Sequence, residues 1–301
     1  MRISRISVKK LFGIFSHDIP LNHDDRITII YGPNGYGKTF TLSLVNELFN
    51  PGYDDFYRIP FSEVTVEFDD YSSLRLMKEQ KDDGDILTFR FSRPGKKTET
   101  FICEKKPSGN VDEPRWFRTL KKSINIRFVH TDRLVRLKRG LDIKDFHAVN
   151  DCNEDFRDTV INNPDTFDSL SEKISLLTTI INTRFNYKHL EIIRDEGFVF
   201  TTSQRRILPS DNLSSGEKHV VMLLYELLFK VEPDSLILID EPELSLHVVW
   251  QQHFIHDLQD IIRLAGFDAL IATHSPQIIH DRWDLAVELK GPSDEAVSDS
   301  V

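Results

Sequence analysis

The nine residues Tyr31-Gly32-Pro33-Asn34-Gly35-Tyr36-Gly37-Lys38-Thr39 carry the clearest chemistry in the chain. Glycine, four residues, a second glycine, lysine and then a hydroxyl residue is the spacing of a phosphate-binding loop. Glycine lets the backbone curl so that successive N–H groups point inward at phosphate oxygens. The candidate cradle is therefore Gly32, Pro33, Asn34, Gly35, Tyr36 and Gly37, continued by Lys38, Thr39 and Phe40. Lys38 would reach the β- and γ-phosphates, and Thr39 would hold Mg²⁺. The plain alternative is a glycine turn between a strand and a helix.

Three further groups could act on a bound phosphate. Asp240 and Glu241 follow the apolar run Leu236-Ile237-Leu238-Ile239. Two carboxylates ending a buried strand are costly unless a cation or partner compensates. Asp240 can hold Mg²⁺ through water and Glu241 can polarise an attacking water, although either alone could be a helix cap. In Leu213-Ser214-Ser215-Gly216-Glu217-Lys218, Ser214 and Glu217 have capping-box spacing. The helix end formed by Ser214, Ser215, Gly216 and Glu217 is a second candidate anion site, and an ordinary capped core helix fits the same residues. His274 follows the apolar run Ala269–Thr273 and is a candidate γ-phosphate sensor or a satisfied loop histidine. His253 and His256 stand three apart with no third ligand in view, which favours a solvated helix face over a metal site.

These groups need an α/β frame to position them. Ile27–Ile30 reads as a buried strand, and Phe40–Phe49 as a helix ended by Pro51-Gly52. The N-terminal segment reads as two strands, Ile3 to Leu11 and Ile27 to Tyr31. From about residue 60 to 105 the period changes to two, which predicts an antiparallel β layer inserted after the first helix. Ile124–Val129 reads as another strand. Residues 141–196 read as a mostly helical arm divided at Pro164, and Gly197–Phe200 as a return to strand. Leu244-Ser245-Leu246-His247 opens an amphipathic helix predicted to run to about Leu264 and to close at Gly266. The organisation this predicts is one composite domain. Residues 1–140 and 197–301 form its two lobes and residues 141–196 an inserted arm.

Bulk properties agree with that frame. The chain has 301 residues, 40% hydrophobic and 29% charged, with a net charge of −10. This composition is ordinary for a soluble globular protein and argues against a wholesale nucleic-acid coat. Cys103 and Cys152 have no disulfide or metal spacing and read as reduced packing residues. Met1–Ile6 opens directly into strand-like alternation with no signal peptide, and no apolar run approaches the length of a membrane span. The expected location is the cytoplasm, with no membrane partner.

Taken in this order, the motifs resemble those of the ATP-binding-cassette (ABC) ATPases. Gly32–Thr39 resembles their Walker A loop and Leu213–Lys218 their signature. Leu236–Glu241 resembles Walker B with its catalytic glutamate, Leu244–His247 the D-loop, and His274 the switch histidine. Asp-Glu-Pro-Glu before Leu-Ser-Leu-His, and Ala-Thr-His-Ser-Pro-Gln, are similar to the stand-alone ATPases related to RecF, Rad50 and the OLD proteins. The resemblance implies catalytic roles for Lys38, Glu241 and His274, with ATP and Mg²⁺ as ligands. The Q-loop glutamine expected after Ile124–Val129 is not evident. His130-Thr131-Asp132-Arg133-Leu134 stands in its place, so Asp132 is expected to join Thr39 and Asp240 at the metal. The resemblance further implies a head-to-tail homodimer in which Ser214 and Gly216 of one subunit cover the γ-phosphate held by Lys38 of the other.

Within that resemblance the arm, at about 55 residues in two helices, would reach only about 40 Å, far short of the SMC and Rad50 coiled coils. The short stretch after His274 leaves no room for the nuclease domain of OLD proteins, so a destructive activity is expected on a separate polypeptide. The leading expectation is an ATPase that senses or scaffolds for an effector such as a nuclease in bacterial anti-phage defence. In this it resembles the ATPase components of Septu, PARIS and retron systems. A RecF-type ATPase that clamps nucleic acid through Arg133, Arg136, Lys138 and Arg139, with Lys121 and Lys122 nearby, is the alternative; those residues read equally as a solvated face or a dimer contact. A transporter nucleotide-binding subunit fits the signature and insertions less well.

Overall fold

A computed structural model describes residues 1–81, 84–104, 111–130, 149–162, 167–193 and 196–291. In chain order the elements begin with β1 (Ile3–Leu11), β2 (Phe15–Pro20), β3 (Ile27–Tyr31), α1 (Lys38–Phe49) and α2 (Asp54–Arg58). Then come β4 (Glu63–Phe68), β5 (Ser73–Glu79), β6 (Ile86–Ser92), β7 (Glu99–Cys103), α3 (Arg115–Ser123) and β8 (Ile126–His130). They continue with α4 (Val149–Asn162), α5 (Phe167–Arg184), β9 (Lys188–Ile193), β10 (Gly197–Thr202), β11 (Ile207–Leu208) and α6 (Ser215–Tyr225). The last are β12 (Leu236–Asp240), α7 (Val248–Gln251), α8 (Phe254–Ala265), β13 (Asp268–Thr273), α9 (Pro276–Ile279) and β14 (Ala286–Glu288). The chain divides into two compact units, one of Met1–His130, Asp234–Glu241 and Phe267–Val301, the other of Thr131–Pro233 and Pro242–Gly266.

The first unit holds two sheets. One is five-stranded with order β14-β3-β13-β12-β8, and every pair in it is parallel. Strands buried on both faces read as unbroken apolar runs, and β3, β12 and β13 are buried along almost their whole length. The second sheet is six-stranded and antiparallel, with order β2-β1-β4-β5-β6-β7. The β layer expected after the first helix is thus completed by the N-terminal hairpin. That hairpin includes β2, which the polar His17 at one of its buried positions concealed. Helix α1 lies over β8, β12 and β13, and its Leu42, Leu44, Val45 and Leu48 share one apolar core with Ile6, Val66 and Leu87 of the antiparallel sheet. Helix α3, not foreseen before β8, closes this core. Its Phe117 ring sits 4.9 Å from that of Phe89, and both residues are fully buried.

In the second unit α5 packs on α8, and α4 on α6 and β10. Strands β9, β10 and β11 form a small antiparallel sheet. The helical reading of 141–196 therefore stops at Arg184. Lys188–Ile193 is a strand because it pairs along its length with the apolar β10, Lys188 with Thr202 through Ile193 with Gly197. The helix expected from Leu244 begins instead at Val248, breaks after Gln251 and resumes at Phe254. It ends where expected, at a left-handed Gly266 with φ of 73°. Cys103 and Cys152 are buried thiols outside any disulfide, and burial pushes the Cys152 thiol up to about 12, which keeps it protonated and unreactive.

One core group titrates near neutrality. Glu47, 7% exposed, accepts the Phe56 amide at 3.1 Å. Burial, and then the charge of Asp55, push its carboxyl up to about 7. The folded chain thus holds this proton more tightly than the unfolded chain, where glutamate titrates at about 4.3. The stabilisation is complete below that value and is lost as pH rises through about 7. Glu47→Gln removes the ionisation, so its thermal midpoint relative to wild type rises from about pH 5.5 to about pH 8. A gap constant with pH would show that Glu47 ionises in the fold as it does in water.

Candidate active site

The phosphate-loop residues sit between β3 and α1. Pro33, Asn34 and Gly35 are exposed, while Lys38 is 5% exposed at the first turn of α1. Lys38 Nζ donates to the Gly32 and Pro33 carbonyls at 2.7 and 3.1 Å, which holds the ammonium under the arch of the loop. Gly37 has φ of +85°, and a Cβ there would come within 2.3 Å of Leu11 Cδ2. No other residue meets both conditions cheaply. The N-terminal hairpin supports the loop from beneath. His17 bonds the Tyr36 carbonyl through Nε2 at 2.7 Å, Phe15 packs on Tyr36 at 5.3 Å, and Phe12 meets Phe40 edge-on at 4.9 Å. Sequence reasoning missed these supports, since nothing in their spacing marks them.

Adjacent strand ends bring in the remaining groups. In the parallel register Asp240 lies opposite Ala272, and Thr273 opposite Tyr31. The residues after β3, β12 and β13 therefore emerge at one edge, where α/β sheets bind ligands. Thr39 Oγ1 donates to Asp240 Oδ1 at 3.1 Å, across 201 positions of sequence. Glu241 has φ of 47°, and its amide donates to the Ala272 carbonyl at 2.8 Å. Its Oε1 lies 3.5 Å from His274 Nδ1, with both side chains part-exposed. A hydroxyl beside a carboxylate is the hard-oxygen donor set that Mg²⁺ takes together with phosphate and water, so Thr39 and Asp240 fit the cation that the loop chemistry implies.

The remaining predicted residues belong to the second unit. Ser214 caps α6, accepting the Glu217 amide at 3.3 Å while its own amide donates to Glu217 Oε2 at 2.7 Å. Ser214 and Ser215 are exposed, and Gly216 is part-exposed. Glu217 Oε2 also accepts from Lys188 Nζ at 2.7 Å. Lys188 and this bond went unseen in the sequence. A Cβ at Gly216 would meet only the Ser245 carbonyl, at 3.7 Å. Leu244, Val248 and Val249 are each more than half exposed. His253 and His256 are both exposed, and no metal-binding cluster of three or more His, Cys, Asp or Glu occurs among the described residues. Asp132 and the basic residues Arg133, Arg136, Lys138 and Arg139 lie outside the described residues.

Sites of this construction define the ABC-type ATPases. A sequence profile described as "AAA domain, putative AbiEii toxin, Type IV TA system" matches residues 104–280, more than half of the chain. The chain belongs to that family. The match takes in Asp240, Glu241 and His274 and leaves the phosphate loop outside it. Protein ea59 of Escherichia phage lambda is 26% identical over 273 residues, 85% of this chain and 46% of the phage protein. Septu protein PtuA of Bacillus thuringiensis is 22% identical over 305 residues, 92% of this chain and 72% of PtuA. The Retron Ec83 probable ATPase of Escherichia coli is 35% identical over 79 residues, 23% of this chain and 14% of that protein. The chain thus spans about half the length of the phage relative and nearly three quarters of PtuA.

Lys38→Ala should abolish ATP binding, measured by titration with a fluorescent ATP analogue, because the loop loses the cation its arch is built around. Unchanged affinity in that variant would mean that the loop does not hold the phosphates.

Proposed function

We propose that this chain binds and hydrolyses ATP, closes head-to-tail as a homodimer around it, and uses the closed state to control a separate effector in bacterial anti-phage defence. The observation that carries the ATPase part is the Thr39–Asp240 hydrogen bond with the Glu241–His274 pair beside it. Lys38 and the loop amides would bind the β- and γ-phosphates. Thr39 and Asp240 would hold Mg²⁺, which neutralises phosphate charge when bound. Glu241 would orient the attacking water and take its proton, and His274 would sit beside the γ-phosphate.

Support for the dimer is chemical. Ser214 and Ser215 at the N-terminus of α6 are exposed, where a helix end can accept an anion, and apolar Leu244, Val248 and Val249 stand exposed in the same unit. In the proposed dimer the partner's nucleotide meets the first group and the partner's surface covers the second. Conversion of ATP to ADP would remove the group bridging the subunits and open them. The relatives named Septu protein PtuA and Retron Ec83 probable ATPase support the placement among Septu- and retron-type systems, and with it a separate effector such as a nuclease.

A second reading, direct contact with nucleic acid, is favoured by α3. Its Arg115, Arg118 and Lys122 are exposed and recur at helical spacing along one stripe, in a chain whose net charge is −10.

Glu241→Gln separates binding from turnover. Its ATPase rate should fall about 10²- to 10⁴-fold while Mg-ATP shifts it to a stable dimer in size-exclusion chromatography with light scattering. Hydrolysis at the wild-type rate would remove Glu241 as the base. A monomer at every ATP concentration would remove the head-to-tail dimer.

A further inference from the structure

The α6 end contains an electrostatic contradiction. A helix N-terminus that receives phosphate should be free of negative charge, yet Glu217 stands in the first turn of α6. The structure balances it with a residue distant in sequence. Lys188 Nζ, at the first position of β9, donates to Glu217 Oε2 at 2.7 Å and reaches the Asn212 carbonyl at 3.5 Å. Both side chains are mostly buried, 23% exposed for Lys188 and 13% for Glu217. Burial would raise the Glu217 carboxyl, but Lys188 and the Ser214 amide outweigh it and hold it below its usual range. The carboxylate is thus ionised, and its charge is offset by this lysine.

Lys188 is itself held in place. Asn182 on α5 accepts the Leu190 amide at 2.7 Å and donates to its carbonyl at 3.0 Å, pinning β9 back on α5. Arg184 forks onto Asp257 of α8 at 2.7 and 3.2 Å. The Arg184 carbonyl accepts the Trp250 indole N–H at 3.0 Å, and the Phe185 ring stacks on Trp250 at 5.5 Å. The turn from Arg184 to Lys188 therefore fastens at one end to the helices after Ser245 and at the other to the α6 cap, and the Ser245 carbonyl lies 3.7 Å from where a Gly216 Cβ would stand.

We propose that Lys188 is the positioning residue of the α6 anion site: it neutralises Glu217 and so lets that helix end accept the γ-phosphate held by a second copy of the chain. The inference rests on the dimer reading above and adds to it the residue that sets its charge. Without Lys188 the capping carboxylate becomes an unbalanced anion beside the incoming phosphate. With Glu217→Gln as well, the cap keeps an oxygen acceptor for Ser214 and the charge is gone.

The test uses the full chain carrying Glu241→Gln and reads the Mg-ATP concentration for half-maximal dimer by sedimentation velocity. Adding Lys188→Ala should raise that concentration about tenfold, the scale of one charge about 3 Å from phosphate at a water-like dielectric. Adding Glu217→Gln on top should bring it back. Analogue binding by the monomer should be the same in all three, since Lys38 is untouched. Lys188→Arg should behave as the parent. An unchanged midpoint in the Lys188→Ala chain, or a defect that Glu217→Gln does not relieve, overturns the charge-balance role. The latter result would mark Lys188 as a packing residue of the β9 turn. A Glu241→Gln parent that never dimerises, while still binding nucleotide, overturns the dimer reading and this inference with it.

Discussion

The hydrogen bond from Thr39 to Asp240 is the interaction on which the arrangement of the site depends. It joins the helix after the phosphate loop to a strand end 201 positions away, and it forms only if three strands are in register. β13 lies between β3 and β12, so the two partners approach across an intervening strand. A one-residue slip of β12 against β13 would turn Asp240 to the opposite face and leave its charge with neither hydroxyl nor cation. Such a slip is costly because β12 and β13 are packed on both faces, so every side chain would have to refit the opposite layer.

The same sheet edge explains how opposite demands are met side by side. Lys38 donates to the Gly32 and Pro33 backbone carbonyls, which hold its ammonium within the loop. Glu241 takes up an unusual backbone conformation. Its φ of 47° lies in the left-handed region, a conformation that costs a non-glycine residue of order a kilocalorie per mole, and Pro242 follows it directly. The amide bond to Ala272 fixes this turn, which brings the carboxylate toward His274. Backbone strain of this kind clusters at functional sites.

Much of this was legible in the sequence because phosphate chemistry restricts residue type and spacing together. Gly37 must be glycine for two independent reasons, Lys38 must follow it, and β12 must be apolar up to its acids. Elements governed by pairing were less legible. β2 and β9 alternate weakly and become strands only because β1 and β10 offer partners. Helix α3 went unseen because its apolar face is just Trp116, Phe117 and Leu120 within a basic segment. The break between α7 and α8 has no proline or glycine to mark it; only the amphipathic pattern, which continues through it, was visible. Lys188 could not be found at all, since an ion pair between a strand and a helix cap leaves no periodic trace.

The order in which the strands leave the ribosome follows from the topology. The antiparallel sheet has all six of its strands by Cys103 and can begin to fold as it emerges. β3, which leads into the phosphate loop, pairs with β13 and β14 alone, and neither exists until the chain has passed Asp268. From the emergence of Tyr31 until that of Asp268 β3 lacks both partner strands, and an unpaired apolar strand is the kind of segment that draws chaperones or stray strands. A nascent or prematurely ended chain therefore has a loop of the correct sequence and no sheet to hold it open. The loop sequence is thus made well before the strands that frame it.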